Sequence, residues 1–153
     1  MAVEIVDFSA RYAKYFDSLN REWLDALFRV EQVDERLLRD PESQVIEPGG
    51  HILFACREDA PVGTVALKYH GDGRYELTKM AVTASERGQG VGRLLLAAAI
   101  ERFRAVGGRQ LYLESHSSLH AAIALYEAAG FRHEPPPAAS KYERADVYMV
   151  FCS

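Results

Sequence analysis

The chain has 153 residues, of which 48% are hydrophobic, 26% charged and 10% aromatic, as expected for one globular domain of about 100–200 residues. Such a length buries a core without metal or disulfide staples, and no run approaches the roughly 20 apolar residues needed to span a bilayer. Lys and Arg number 18 against 22 Asp and Glu, a net charge of −4, which argues against a surface built to neutralise nucleic-acid phosphates. Met1 to Asp7 lacks a basic segment followed by an apolar one, so a cytoplasmic location is expected. Cys56 and Cys152 show no metal-type spacing and are expected to be reduced and buried.

In chain order, Val3, Ile5 and Phe8 indicate a short first strand. Ser9 is placed to cap a helix reaching about Phe28, with Tyr12, Tyr15, Phe16, Leu19, Trp23, Leu24 and Leu27 on one face. A second helix is expected from Glu31 to Arg39, stopped by Pro41. Pro48-Gly49-Gly50 turns the chain into the strand HILFACRE. Glu58 to Pro61 then turns it into VGTVALKYH, and Gly71-Asp72-Gly73 into YELTKMAV. From Val91 to Val106 the period becomes helical and Gly107-Gly108 ends it. LYLES is the next strand, Leu119 to Ala129 a helix closed by Gly130, and ADVYMVF the last strand after the loop Pro135 to Ser140. These elements predict an α+β, three-layer fold. Its mostly antiparallel mixed sheet has about seven strands flanked by about four helices, in a single domain over residues 1–153.

The most informative segment joins the strand YELTKMAV to the helix at Val91. Gly88, Gly90 and Gly92 leave backbone N–H groups unshielded and permit positive φ. The helix start adds unpaired donors and partial positive charge, and Arg87 and Arg93 add fixed charge. Together these suit a phosphate or pyrophosphate. A P-loop needs Gly-Lys-Ser/Thr, and Gly92 is followed by Arg93-Leu94. The dinucleotide fingerprint fails too, because the sixth position is Arg93 counted from Gly88 and Leu95 counted from Gly90. What remains is R-x-x-G-x-G over Arg87, Gly90 and Gly92, whose plain alternative is an ordinary glycine-rich turn.

This motif, followed by Ala122-Ile123-Ala124-Leu125-Tyr126-Glu127-Ala128-Ala129-Gly130-Phe131, resembles the GNAT superfamily of N-acetyltransferases over about His51 to Phe151. The resemblance implies an acetyl-CoA cofactor, released as CoA. Its pyrophosphate would lie on the loop Arg87, Gly88, Gln89, Gly90, Val91, Gly92 and Arg93, and its pantetheine amides on the backbone around Met80 and Val82. It also implies a sheet splayed between YELTKMAV and LYLES. Leu119 stands where many members carry a cofactor-binding Asn, with Ser115, Ser117 and Ser118 nearby. Homodimerisation is common in that family.

Acetyl transfer from a thioester to a primary amine requires a neutral amine, although a lysine-type amine has a pKa of about 10.4. It also requires stabilisation of the oxyanion and a proton for the departing thiolate. Tyr126 matches the family's tyrosine and suits the last role. Glu114 and Glu76 are the base candidates: N-terminal acetyltransferases for ribosomal proteins resemble the spacing of Glu114 to Tyr126, and histone-type members place a glutamate like Glu76. By the two-residue period Glu76, Thr78 and Met80 share a face. Water-relayed deprotonation without a dedicated base stays open. His116 and His120 lack the Glu and third ligand of a zinc helix, so no metal is expected. The acids Glu22, Glu31 and Asp34 around Trp23 are candidates to hold a cationic amine, and Tyr142 is a further candidate contact. The expected acceptor is a small-molecule or peptide amine, with neither nucleic acid nor membrane as partner. A non-catalytic acyl-CoA-binding module is the alternative.

Overall fold

The computed structural model describes residues 2–28, 30–137, 140 and 142–152. Met1, and Ala138 and Ala139 of the expected proline-rich loop, lie outside them. Seven strands form one sheet in the order β1-β2-β3-β4-β5-β7-β6. They are β1 (Glu4–Asp7), β2 (His51–Arg57), β3 (Ala60–Tyr69), β4 (Arg74–Val82), β5 (Gln110–Ser115), β6 (Phe131–His133) and β7 (Val147–Phe151). Every neighbouring pair is antiparallel except β4–β5. That parallel step needs a crossover, supplied by helix α3 (Val91–Ala105).

The remaining helices are α1 (Ala13–Leu27), α2 (Gln32–Arg39) and α4 (His120–Ala129). The sheet is sandwiched between two apolar layers. On one face Leu95, Leu96, Ala99 and Phe103 of α3 pack with Leu53, Val65, Leu77 and Leu113. On the other, Phe16 and Leu24 of α1 and Leu37 and Leu38 of α2 pack with Ile52, Phe54 and Ala66. Arg21 joins the two helices, donating to Glu35 at 2.7 and 3.0 Å. Among the described residues, no helix is long and apolar enough to cross a membrane.

Three local differences from expectation have physical causes. The Ser9 side chain caps nothing. Instead Tyr12 N–H donates to Ser9 C=O, and a 3-10 turn over Ala10–Tyr12 precedes α1. Phe131–His133 pairs with β7 as an edge strand too short to show alternation. Cys56 is buried as expected, but Cys152 is exposed because it follows the last paired residue of β7.

A fourth difference shapes the site. Thr64 opposes Ala81 and Ala66 opposes Thr78, so Lys79 and Met80 together face only Val65. This is a β-bulge, and Lys79 takes a left-handed φ of 55°. Alternation restarts there: Met80 packs with the Leu77 cluster, leaving the face of Glu76. Pairing between β4 and β5 stops at Glu76–Tyr112. Past that point the β4 backbone edge has no strand on the β5 side, and the sheet opens.

The start of α3 is held against β3 at Gly63. A Cβ built there would meet Leu95 Cδ1 at 2.9 Å, Val91 Cγ1 at 3.2 Å and the Ala81 carbonyl at 3.3 Å. Gly63→Val is therefore expected to push α3 off the sheet and cost about 1–3 kcal/mol. Thermal unfolding checks this, with an expected fall of roughly 2–12 °C in Tm.

Candidate active site

The opened cleft between β4 and β5 is a cavity of about 520 Å³. One wall is Leu77 to Val82 of β4, continued by Arg87. The opposite wall is Glu114, Ser115 and the segment from His116 into α4, including Tyr126. The C-terminal end of α1 (Trp23, Leu27) and Phe28 cover one end, beside Tyr142, Arg144 and Ala145 from the loop before β7.

At the glycine loop, Gly88 and Gly90 have φ of 79° and 83°, a conformation that favours glycine. Gly90 is the N-cap residue of α3 and no side chain caps that end, so its first N–H groups stay available to an anion. Gly92 needs no positive φ, and Val91 turns its side chain into the core. From Val91 only the backbone is available to a phosphate. Gln89 and Arg93 are exposed beside the loop. Arg87 lines the cavity and donates through Nε to the Val82 carbonyl at 3.2 Å. Met80 and Val82 line the cavity on the unpaired edge of β4.

The two carboxylates expected as bases sit in different surroundings. Glu114 is half-buried and lines the cavity. Among the described residues it pairs with no cation, and it also borders a neighbouring groove lined by His133, Glu134, Asp146 and Tyr148. Glu76 is 1% exposed, lies 2.9 Å from His70 Nε2 and does not line the cavity. Tyr126 is buried on the opposite wall, its ring 5.9 Å from that of Phe131. Burial pushes its phenol up to about 12, so it keeps its proton throughout the neutral range.

Leu119 lines the cavity without capping α4. Ser117 is occupied by Asp146 at 2.8 Å and Ser118 by His116 Nδ1 at 2.7 Å, which leaves Ser115 as the serine of this wall without a side-chain partner among the described residues. His116 also packs edge-on against Phe28 at 5.4 Å. Neither Cys56 nor Cys152 lines the cavity, and burial pushes the Cys56 thiol pKa up.

The acids expected to receive a cationic amine are engaged by other groups of the protein, Glu22 at the surface and Glu31 and Asp34 beneath it. Glu22 accepts from Thr83 Oγ1 at 3.1 Å and from Ala84 N–H at 2.9 Å. Glu31 accepts from Arg144 and from the Glu143 backbone N–H, at 3.1 and 3.0 Å. Asp34, 0% exposed, lies 2.8 Å from Lys79 Nζ and receives both ends of the Arg144 fork at 2.8 and 2.9 Å. Its Oδ2 also accepts the Glu31 N–H in a capping box at the start of α2. None of the three acids lines the cavity. A buried carboxylate must be paired, and the cations that pair Asp34 come from β4 and residue 144, too distant in sequence to be read along the chain. Lys79 Nζ also donates to Tyr142 Oη at 3.2 Å and sits 4.6 Å above that ring. Burial pulls the Lys79 pKa down against the support of Asp34.

A model of the acetyltransferase (GNAT) family matches residues 12–131, from the start of α1 through the glycine loop, both cavity walls and Tyr126. The chain belongs to the acetyltransferase (GNAT) family. A curated relative, the uncharacterized N-acetyltransferase YjgM of Escherichia coli K12, is 43% identical over 94 residues. That match covers 59% of this chain and 56% of the relative. Among solved structures, a GNAT acetyltransferase from Staphylococcus aureus Mu50 superposes with a TM-score of 0.87 at 20% identity, covering 98% of both chains. The PaiA N-acetyltransferase of Thermoplasma acidophilum, solved with coenzyme A, gives 0.75 at 17% identity over 99% of both. These two likenesses are of fold. The seven-stranded mixed sheet with its flanking helices matches the fold of these neighbours, and the expected opening between YELTKMAV and LYLES is the end of pairing at Glu76.

Burial would raise the Asp34 pKa, but the Arg144 hydrogen bonds and the Lys79 charge outweigh it and hold the group at about 2, below its ordinary 3.8. Because the folded value is the lower one, the cluster gives its full stability above about pH 4 and loses it as pH falls through about 2. Asp34→Asn is expected to cost about 3–5 kcal/mol at pH 7 by leaving buried cations unpaired. In Tm measured from pH 6 to pH 2, the gap between wild type and variant should narrow over the acid end.

Proposed function

We propose that this protein is an acetyl-CoA-dependent N-acetyltransferase that moves the acetyl group directly to a primary amine. The observation that carries this reading is the cleft itself: a β4 edge unpaired past Glu76, the proton-bearing phenol of Tyr126 and the carboxylate of Glu114, which has no cationic partner among the described residues, border one cavity, and Arg87 on its wall leads into the phosphate-suited start of α3. The pyrophosphate of acetyl-CoA fits the N–H groups from Gly88 to Arg93, with Arg87 adding charge. The pantetheine amides fit the β4 edge around Met80 and Val82, in the manner of an added strand.

In this reading Glu114 takes a proton from the acceptor ammonium, directly or through water, and the freed amine attacks the thioester carbonyl. A C–N bond forms and the oxyanion is met by backbone N–H donors of the β4 edge. The C–S bond then breaks, Tyr126 Oη gives its proton to the departing sulfur, and the surplus proton on the new amide nitrogen returns to the phenolate directly or through water. Both base candidates belong to the proposal; the position of Glu114 on the wall favours it, while Glu76 would act only through His70 or water. Direct transfer is supported by the absence of a cysteine from the cavity wall. The protein is expected to act in the cytoplasm on a small-molecule or peptide amine, as one acetyltransferase domain. A homodimer is compatible with it.

The test pairs binding with turnover. Acetyl-CoA or CoA at about 100 times its Kd is expected to add roughly 2.7 kcal/mol of stability, and NAD none. Tyr126→Phe is expected to lower kcat more than about tenfold while the acetyl-CoA midpoint shift persists. Unchanged turnover would remove Tyr126 from the acid role, and no shift with either thioester or thiol would remove the cofactor assignment.

Glu114→Gln is expected to lower kcat/KM by about 10²-fold or more at pH 7, with the loss shrinking as pH approaches the acceptor amine's own pKa. An equal loss for Glu76→Gln with no effect of Glu114→Gln would transfer the base role to Glu76.

A further inference from the structure

We infer that the acceptor carries, besides its amine, a carboxylate and an apolar body, as an α-amino acid does, with the carboxylate held by Arg144; this rests on the acetyl-transfer reading above. The inference starts from charge. The cavity wall bears three cationic side chains, Lys79, Arg87 and Arg144, against one carboxylate, Glu114. Arg87 stands at the glycine loop. Lys79 and Arg144 stand at the other end, beside Trp23, Phe28 and Tyr142. The acids that balance them, Asp34 and Glu31, lie behind them and do not reach the wall. The acceptor end therefore presents the positive side of a buried cluster. A polyamine would meet two cations there with only Glu114 to offset its charges.

Donor accounting narrows the ligand further. Arg144 spends Nη1 on Glu31 and Asp34 and one Nη2 donor on Asp34. Its side-on fork, Nε–H and the second Nη2 donor, has no acceptor among the described residues. That fork matches the two oxygens of a carboxylate. It is held in orientation, because the guanidinium lies 4.7 Å from the Tyr142 ring and 6.0 Å from that of Phe28. The Arg144 side chain keeps 16% of its exposure, whereas that of Lys79 keeps 2%, so Arg144 is the cation a ligand can reach.

The apolar body has its own wall. Trp23 and Phe28 meet edge-on at 6.0 Å beside Leu27, which is exposed. The Trp23 Nε1–H is a buried donor without an acceptor among the described residues, a second unspent donor suited to an oxygen-bearing ligand. Amine at Glu114, carboxylate at Arg144 and side chain on Trp23 and Phe28 together describe an α-amino acid of apolar type.

The test compares matched acceptors on the wild-type enzyme with acetyl-CoA, following CoA release: L-leucine against 3-methylbutylamine, L-phenylalanine against 2-phenylethylamine, L-methionine against 3-(methylthio)propylamine, with spermidine alongside. At least one amino acid is expected to exceed its decarboxylated partner about tenfold or more in kcat/KM. Arg144→Gln should bring that ratio toward one through the acceptor KM, with the KM for acetyl-CoA unchanged. Because Arg144 also braces Asp34, its variant is scored only on the ratio between matched acceptors, and the wild-type comparison stands without it. Preference for the decarboxylated amines or spermidine would overturn the inference and leave acetyl transfer intact. Turnover of none of these compounds, with acetyl-CoA still raising Tm, would overturn it together with the reading it rests on.

Discussion

The buried cluster of Asp34, Lys79 and Arg144 is the constraint on which the geometry of the cleft depends. It joins α2, the bulge of β4 and the loop before β7 through one carboxylate with no exposure. Without these partners Asp34 could not stay ionised in an apolar layer. The left-handed φ at Lys79 costs about 1–3 kcal/mol, and the ion pair it permits offsets that cost. Strain and pairing are therefore two sides of one feature. The bulge delivers Lys79 to Asp34 and at the same place ends the two-residue alternation of β4. With β4 bent there and free of β5 beyond Glu76, the backbone edge on which the cofactor is proposed to lie becomes available.

Periodic segments were legible because their physics is local. The helix at Val91 and the glycine turn before it follow from spacing alone, and the positive φ at Gly88 and Gly90 explains why two of the three glycines stand there. Gly92 is explained by neither cause: its φ is not positive, and a Cβ there would meet Leu125 Cδ2 at an ordinary 3.6 Å. Tyr126 and Glu114 could be singled out because a family motif and its distance from β5 survive in the chain order. Their meeting at one cavity could not be read in this way, since it depends on where the sheet splays.

What stayed hidden was long-range. YELTKMAV alternates apolar and polar only as far as Thr78, and the polar pair Thr78-Lys79 is a faint local sign of the bulge that does not say what Lys79 would meet. Glu22, Glu31 and Asp34 read as an acidic substrate wall, because the cations that claim two of them are separated by tens of residues and arrive from other layers. Arg144 drew no attention for the same reason. The available hint was physical rather than positional: an acid such as Asp34 on the apolar side of an amphipathic helix needs a cation from elsewhere, and Lys79 and Arg144 were among the candidates.

The two ends of the cavity differ in a way that suits a proton relay as well as a grip on the acceptor. Tyr126 is enclosed on the α4 wall, and burial alone raises its pKa. It therefore still carries, at neutral pH, the proton that the proposed reaction asks it to give. Glu114 lies on the same side of the cleft, at the end of β5, and also borders a second groove of about 460 Å³, a second opening for the proton that it is proposed to take up. Glu76 lacks such a route: it is sealed beneath His70 on the far side of the splay point, where β4 and β5 still pair. The end of that pairing separates a carboxylate buried with the core from one that lines the open cleft. The preference for Glu114 over Glu76 in the proposed mechanism thus rests on the topology of the sheet more than on any property of the residue itself.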